Sequence, residues 1–184
     1  MTRSFNLRAQ LAQGRHALDV ARAPQIAHRI LAEPRLAAQL VELLWDDDPG
    51  VANRAADALE RASFHRPELL VPWKSALLGL LPEARFNKLR WNLAFVVGRI
   101  PLSVPQARRA ASTLQTWLDD RSSIVKTAAL HCLADLTRSD PSLLPDVLDI
   151  LRTKGRSGTP AMRARSRILL KKLERPPAKS PFRK

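Results

Sequence analysis

The sequence predicts an all-α fold built from stacked helical hairpins, and three observations predict it. Tyr is absent and aromatics are 5% of a chain that is 45% hydrophobic. Its core must rest on Leu, Ala, Val and Ile, a set that favours helices over strands. An apolar helical pattern also recurs, anchored at Val51, Leu89, Val125 and Met162, with steps of 38, 36 and 37 residues. Finally, a second, proline-opened pattern lies between these recurrences, with Pro67 and Pro141 standing 74 residues apart, twice the period. No stretch reads as a strand. One such hairpin cannot cover both of its apolar faces, but stacked neighbours can, which gives an α-solenoid with a continuous core.

The elements follow in order. Residues 1–33 are less regular, and "LRAQLAQGRHALDVARA" and "PQIAHRILA" read as one or two capping helices ahead of repeats over 34–173. "PRLAAQLVELLWDD" from Pro34 begins with proline, which suits the first helical turn because its missing N–H is not needed there. The joint Asp46 to Gly50 leads into "DPGVANRAADALERA", where Val51 is followed at helical steps by Ala55, Ala58 and Leu59. "RPELLVPWKSALLGLL" from Arg66 and "FNKLRWNLAFVVGRI" form the next pair, Leu89 being followed by Leu93, Val96 and Val97. "PQARRAASTLQTWLDD" from Pro105 and "RSSIVKTAALHCLADL" form another, joined across Asp119 to Ser123. "DPSLLPDVLDIL" from Asp140 and "TPAMRARSRILLKKL" form the last, with Thr159 as N-cap and Pro160 as first helical residue. The final stretch, 175–184, has three prolines and no apolar periodicity and reads as a disordered basic tail, so 1–174 is expected to be a single domain.

The segments "DDDPGVANRAADAL" and "DDRSSIVKTAALHCLADL", followed by "PELL" and "PSLLP" helices, resemble HEAT repeats of the armadillo-like superfamily over about Pro34 to Leu173. The resemblance implies a right-handed solenoid with the first helix of each pair on the convex side and the second on the concave side. It specifies fold well and function poorly. A basic residue directly follows the anchor in three copies, as Arg90, Lys126 and Arg163. In HEAT-like repeats such a residue pairs with acids of a neighbouring turn, here resembled by Asp47, Asp48, Asp119 and Asp120. The alternative is that Arg90 and Lys126 line a ligand groove.

Charge carries the functional expectation. Residues 1–151 hold 19 Lys/Arg against 16 Asp/Glu, whereas 152–184 hold 12 against Glu174 alone. This localised positive field suits an anionic partner. On the last helix, Arg163, Arg167 and Lys171 recur at i, i+4 and i+8, flanked by Arg165 and Lys172, with Arg156 in the preceding joint. Like charges at that spacing repel, and an anion would relieve them. The other reading of the same residues is a solvated terminal cap. "RTKGRSGTP" lacks phosphate-loop spacing and reads as an ordinary joint. One cysteine, Cys132, excludes a disulfide framework and falls on a core face, and the four histidines lack metal-ligand spacing, so neither metal nor cofactor is expected. No signal peptide and no membrane-length apolar run is visible, which reads as a cytoplasmic protein, taken as monomeric.

The expected function is therefore a non-catalytic binding scaffold. Its basic end holds an acidic macromolecule, nucleic-acid backbone first and an acidic protein surface next, with no small-molecule substrate. A protein adaptor using the concave helices is the alternative. An enzyme reading also stands: a HEAT-like alkylpurine DNA glycosylase with Trp73, Trp91 and Trp117 as groove aromatics and Asp119 or Asp120 as carboxylate.

Overall fold

The computed structural model describes residues 6–174, and the stretch read as a basic tail lies outside them. Ten α-helices are present among the described residues, with no strand. They are α1 (Leu7–Ala12), α2 (Ala23–Ala32), α3 (Ala37–Glu42), α4 (Pro49–His65), α5 (Lys74–Glu83), α6 (Asn87–Arg99), α7 (Val104–Thr116), α8 (Ser123–Leu136), α9 (Leu144–Ser157) and α10 (Pro160–Leu173). Short 3-10 turns lead into or out of α3, α5, α7 and α9. The all-helical expectation holds, and helices begin near the prolines and Asp/Ser joints, but "RTKGRSGTP" is not a joint throughout: α9 continues through Arg156 to Ser157, leaving only Gly158 and Thr159 before α10.

Side-chain caps start the helices where polar residues invited them. Asp48 accepts from Gly50 N at 2.7 Å ahead of α4, with Pro49 in the first turn. Ser122 accepts from Val125 N at 3.4 Å, and Thr159 from Met162 N at 3.3 Å, at the starts of α8 and α10. Each satisfies one of the donors a helix start leaves open.

The even helices pack in chain order, α4 between α2 and α6, α6 against α8 and α8 against α10. Each odd helix from α3 onward packs on the even helix that follows it. The four anchors take the same place in their helices. Val51, Leu89, Val125 and Met162 are each the third residue of their helix, and each is buried. Small residues let the even helices approach closely. A Cβ placed on Gly98 of α6 would lie 3.3 Å from Asp135 Cβ and 3.4 Å from Cys132 Sγ of α8. Cys132 is fully buried, and that burial pushes its thiol pKa up, so it behaves as a small apolar core residue.

The N-terminal part corrects the picture of a simple helical cap. Both helices are there, but residues 13–22 between them form a non-helical strap of bends and turns, gripped by buried polar side chains. Arg54 donates to Leu11 O and to His16 O (3.1 Å), Asn53 Nδ2 to Ala17 O (3.3 Å), and Lys88 Nζ to Leu18 O (3.2 Å). Lys88, only 4% exposed, also pairs with Asp57 at 3.0 Å. These α4 and α6 side chains are tolerated inside because each finds a partner.

Candidate anion-binding surface

The six cations expected to bind an anion separate into two groups in the structure. Arg156, Arg163, Arg167 and Lys171 are exposed, and their side chains make no hydrogen bond or ion pair with any described residue. On α10, the last three span about 12 Å along the helix axis at 1.5 Å per residue. Glu174, the only acid within reach of that end in sequence, is held elsewhere. Its Oε1 lies 2.9 Å from Arg152 Nη2, a contact that raises the guanidinium's pKa.

Arg165 and Lys172 depart from the expectation of a uniformly free cationic surface. They point to α8, where Lys172 Nζ lies 3.2 Å from Asp135 Oδ1 and Arg165 Nη1 lies 3.3 Å from His131 Nδ1. The physical reason is the register between α8 and α10. Asp135 and Lys172 are 37 residues apart, one period, so they meet on adjacent helices.

Asp135 is the centre of this arrangement and went unread in the sequence. Its side chain is 7% exposed and takes His131 Nε2 at 3.1 Å, Arg138 Nη1 at 2.8 Å and Lys172. Burial alone would push its pKa up. The His131 hydrogen bond, together with the Arg138 and Lys172 charges, outweighs burial and holds the carboxyl below its usual range. His131 and Asp135 at i, i+4 on one helix were a readable pair. The partner on α10 could only be found once the helices were placed side by side.

The basic ladder is paired at one rung. Arg90 reaches Asp120 at the next joint, donates to Ala84 O at 2.8 Å and lies over the Trp117 ring at 5.9 Å. Lys126 is half-buried with no side-chain partner among the described residues, and Arg163 is exposed and equally unpaired. The residues considered for base excision are placed differently. Trp117 is buried, Trp73 and Trp91 pack against the core, and Asp120 is occupied by Arg90 and the Ser122 N–H (2.7 Å). Asp119 sits at the surface with Lys154 at 3.2 Å. Among the described residues, no three His, Cys, Asp or Glu side chains gather as a metal centre would require. No helix among them is long and apolar enough to cross a membrane.

Neither a family model nor a curated protein matches this chain. Among solved structures it is similar to the crystal structure of an engineered protein from the Northeast Structural Genomics Consortium. The TM-score is 0.61 at 16% identity, covering 91% of this chain and 78% of that one. At that identity the likeness concerns fold alone.

Proposed function

We propose that this chain is a non-catalytic HEAT-like α-solenoid whose α10 end binds an acidic macromolecule through its backbone charges, nucleic acid foremost. The solenoid reading is supported by the common third-residue anchors and by even helices that contact one another in chain order. The binding reading rests on one observation: Arg163, Arg167 and Lys171 lie exposed on one face of α10, with no side-chain partner among the described residues. The corresponding positions of α8 are Lys126, Leu130 and Ala134, and the last two are buried. The α10 face thus carries charge where its neighbour carries apolar packing. Bringing three cations together without a counter-charge costs a few tenths of a kcal/mol per pair, a cost that phosphates remove while releasing counterions. A cytoplasmic location accords with this reading.

The test is fluorescence anisotropy with labelled DNA and RNA across a salt series, on the full chain and on Arg163→Glu/Arg167→Glu/Lys171→Glu. Binding should weaken steeply with salt, and the triple reversal should remove it while leaving the melting temperature unchanged. Salt-independent binding, or unchanged affinity in the triple variant, would sink the proposal.

A further inference from the structure

The even helices carry a second surface feature, a continuous row of rings and cationic planes that crosses four of them. Phe64 of α4 is 69% exposed. The Arg99 guanidinium of α6 lies over the Phe64 ring at 5.3 Å and over Phe95 at 5.8 Å. Phe95 meets the His131 ring of α8 edge-on, with centroids 5.2 Å apart. His131 in turn meets Arg165 of α10, and Lys172 continues along that helix to Asp135. At the α4 end the row borders a pocket between α2 and α4, lined by Phe64 with Pro24, Ala27, His28 and Leu31.

Helix packing alone does not call for this row. Phe95 is half-buried against the core, whereas Phe64 stands exposed with the Arg99 plane beside it. Arg99 is also fixed rather than free to wander. It donates to Glu60 O at 2.7 Å, Ser63 Oγ at 3.0 Å and Glu60 Oε1 at 2.6 Å, so its plane is held beside Phe64. Charge on the face is one-sided: Arg99, Arg138, Arg165 and Lys172 stand against Glu60 and Asp135, an excess of two cations.

Resting on the reading that the partner is nucleic acid, we infer that this row is a track for a single strand. Unpaired bases stack on Phe64 and the planes beside it, and phosphates lie against Arg165 and Lys172. Fixed rings and guanidinium planes accept any base face, whereas a duplex keeps its bases stacked inside and could use only the charges. Three interaxial steps of 8–10 Å give a track of roughly 25–30 Å, suited to a strand of several nucleotides. The pocket between α2 and α4 receives the terminal base. The track leads directly onto α10, whose opposite flank bears the unpaired stripe.

The experiment compares anisotropy of a labelled oligouridylate of about ten nucleotides, a duplex of the same length and polyglutamate. The proteins are the wild type, Phe64→Ala and the triple stripe reversal. The wild type should prefer the single strand. Phe64→Ala should weaken it by about tenfold, the worth of one stacked base, and change duplex affinity by less than twofold. Phe64 is exposed, so this variant should melt with the wild type. A 5-iodouridine strand should crosslink to Phe64 or His131. Equal single-strand affinity in Phe64→Ala, equal loss on both nucleic acids, or crosslinks confined to Arg163, Arg167 and Lys171 would each overturn the track. Polyglutamate binding tighter than the oligonucleotide, and lost in Phe64→Ala, would assign the row to an acidic protein instead. A triple reversal that binds like wild type while Phe64→Ala fails would refute the α10 reading and leave the track standing.

Discussion

Replacing Lys88 by Met tests how the N-terminal strap is held. The substitution keeps most of the side-chain volume and removes the charge. Lys88 and Asp57 are 4% and 8% exposed and 3.0 Å apart, so the ammonium that compensates Asp57 is out of water. Breaking such a pair from one side costs about 3–5 kcal/mol, because a buried charge is left behind. Here the cost is smaller. Arg61 Nε stays 2.5 Å from the other oxygen of Asp57, and Arg61 is partly solvated. The loss of the Leu18 O hydrogen bond adds about 1 kcal/mol. A net loss of about 2–3 kcal/mol follows, and at 2–4 °C per kcal/mol for a chain of this size the midpoint falls by roughly 5–10 °C. Thermal melting by circular dichroism reads the global effect. Limited trypsin digestion reads the local one, since cleavage after Arg15 and Arg22 should accelerate as the strap loses an anchor. Adding Asp57→Asn should recover part of the loss, as the buried carboxylate that Arg61 alone then compensates is gone. A Lys88→Met protein that melts within 1 °C of wild type and resists trypsin equally would refute the account of the strap.

Asp135→Asn should lower stability at neutral pH by about 1–3 kcal/mol, since three positive or donor groups lose a buried carboxylate. The pH dependence has a definite sign. The folded-state pKa is held below the unfolded value, so the carboxylate's contribution is complete above the unfolded pKa and vanishes as pH falls through the folded one. The gap between wild type and Asp135→Asn should therefore close in acid, below about pH 4, in urea titrations at successive pH values. A gap that persists in acid would show that the loss comes from packing. Gly14→Ala should cost about 1–3 kcal/mol, measured by chemical denaturation. A Cβ there would run into the Arg54 guanidinium, which is buried and tied to Leu11 O and His16 O. Wild-type stability in that variant would mean that the guanidinium can move aside.

The four even-helix starts were legible because they are written in burial. Val51, Leu89, Val125 and Met162 must each cover the start of an even helix, and nothing polar can replace them without cost. Caps such as Thr159 with Pro160 were legible for the same local reason. The strap was not. Arg54, Asn53 and Lys88 look like ordinary polar residues on a helix, and their acceptors are backbone carbonyls in a segment with no periodicity. The Phe64 row was hidden in another way. Phe64, Arg99, His131 and Arg165 come from four helices, and each taken singly reads as a surface residue or a core ring. Five of the six proposed site residues lie on α10, with Arg165 and Lys172 turned to α8, and Arg156 lies in the last turn of α9. Which of them are free depends on the α8 pair His131 and Asp135, whose α10 partners Arg165 and Lys172 lie 34 and 37 residues away in sequence.

The ladder of Arg90, Lys126 and Arg163 explains why the uncompensated charge gathers at one end, and it supplies a sharp test. Two joints share a device in which an Asp two residues before the N-cap accepts the N-cap N–H. Asp46 does this for Asp48 at 3.0 Å, and Asp120 for Ser122 at 2.7 Å. Each also accepts an arginine from another helix, Arg8 in the first case and Arg90 in the second. The corresponding place before α10, two residues ahead of Thr159, holds Ser157, the last residue of α9, so Lys126 has no carboxylate to meet there. Ser157→Asp should restore the device. Its carboxylate can accept the Thr159 N–H and face Lys126, a gain partly offset because the new charge sits at the C-terminal end of α9. Stability should rise by no more than about 1 kcal/mol, as expected of a half-exposed pair. Affinity for nucleic acid should nevertheless fall, and the slope of log affinity against log salt should shrink by about one counterion, because one cation has been neutralised internally. An unchanged salt slope would mean that Lys126 lies outside the bound surface and that the stripe on α10 acts alone.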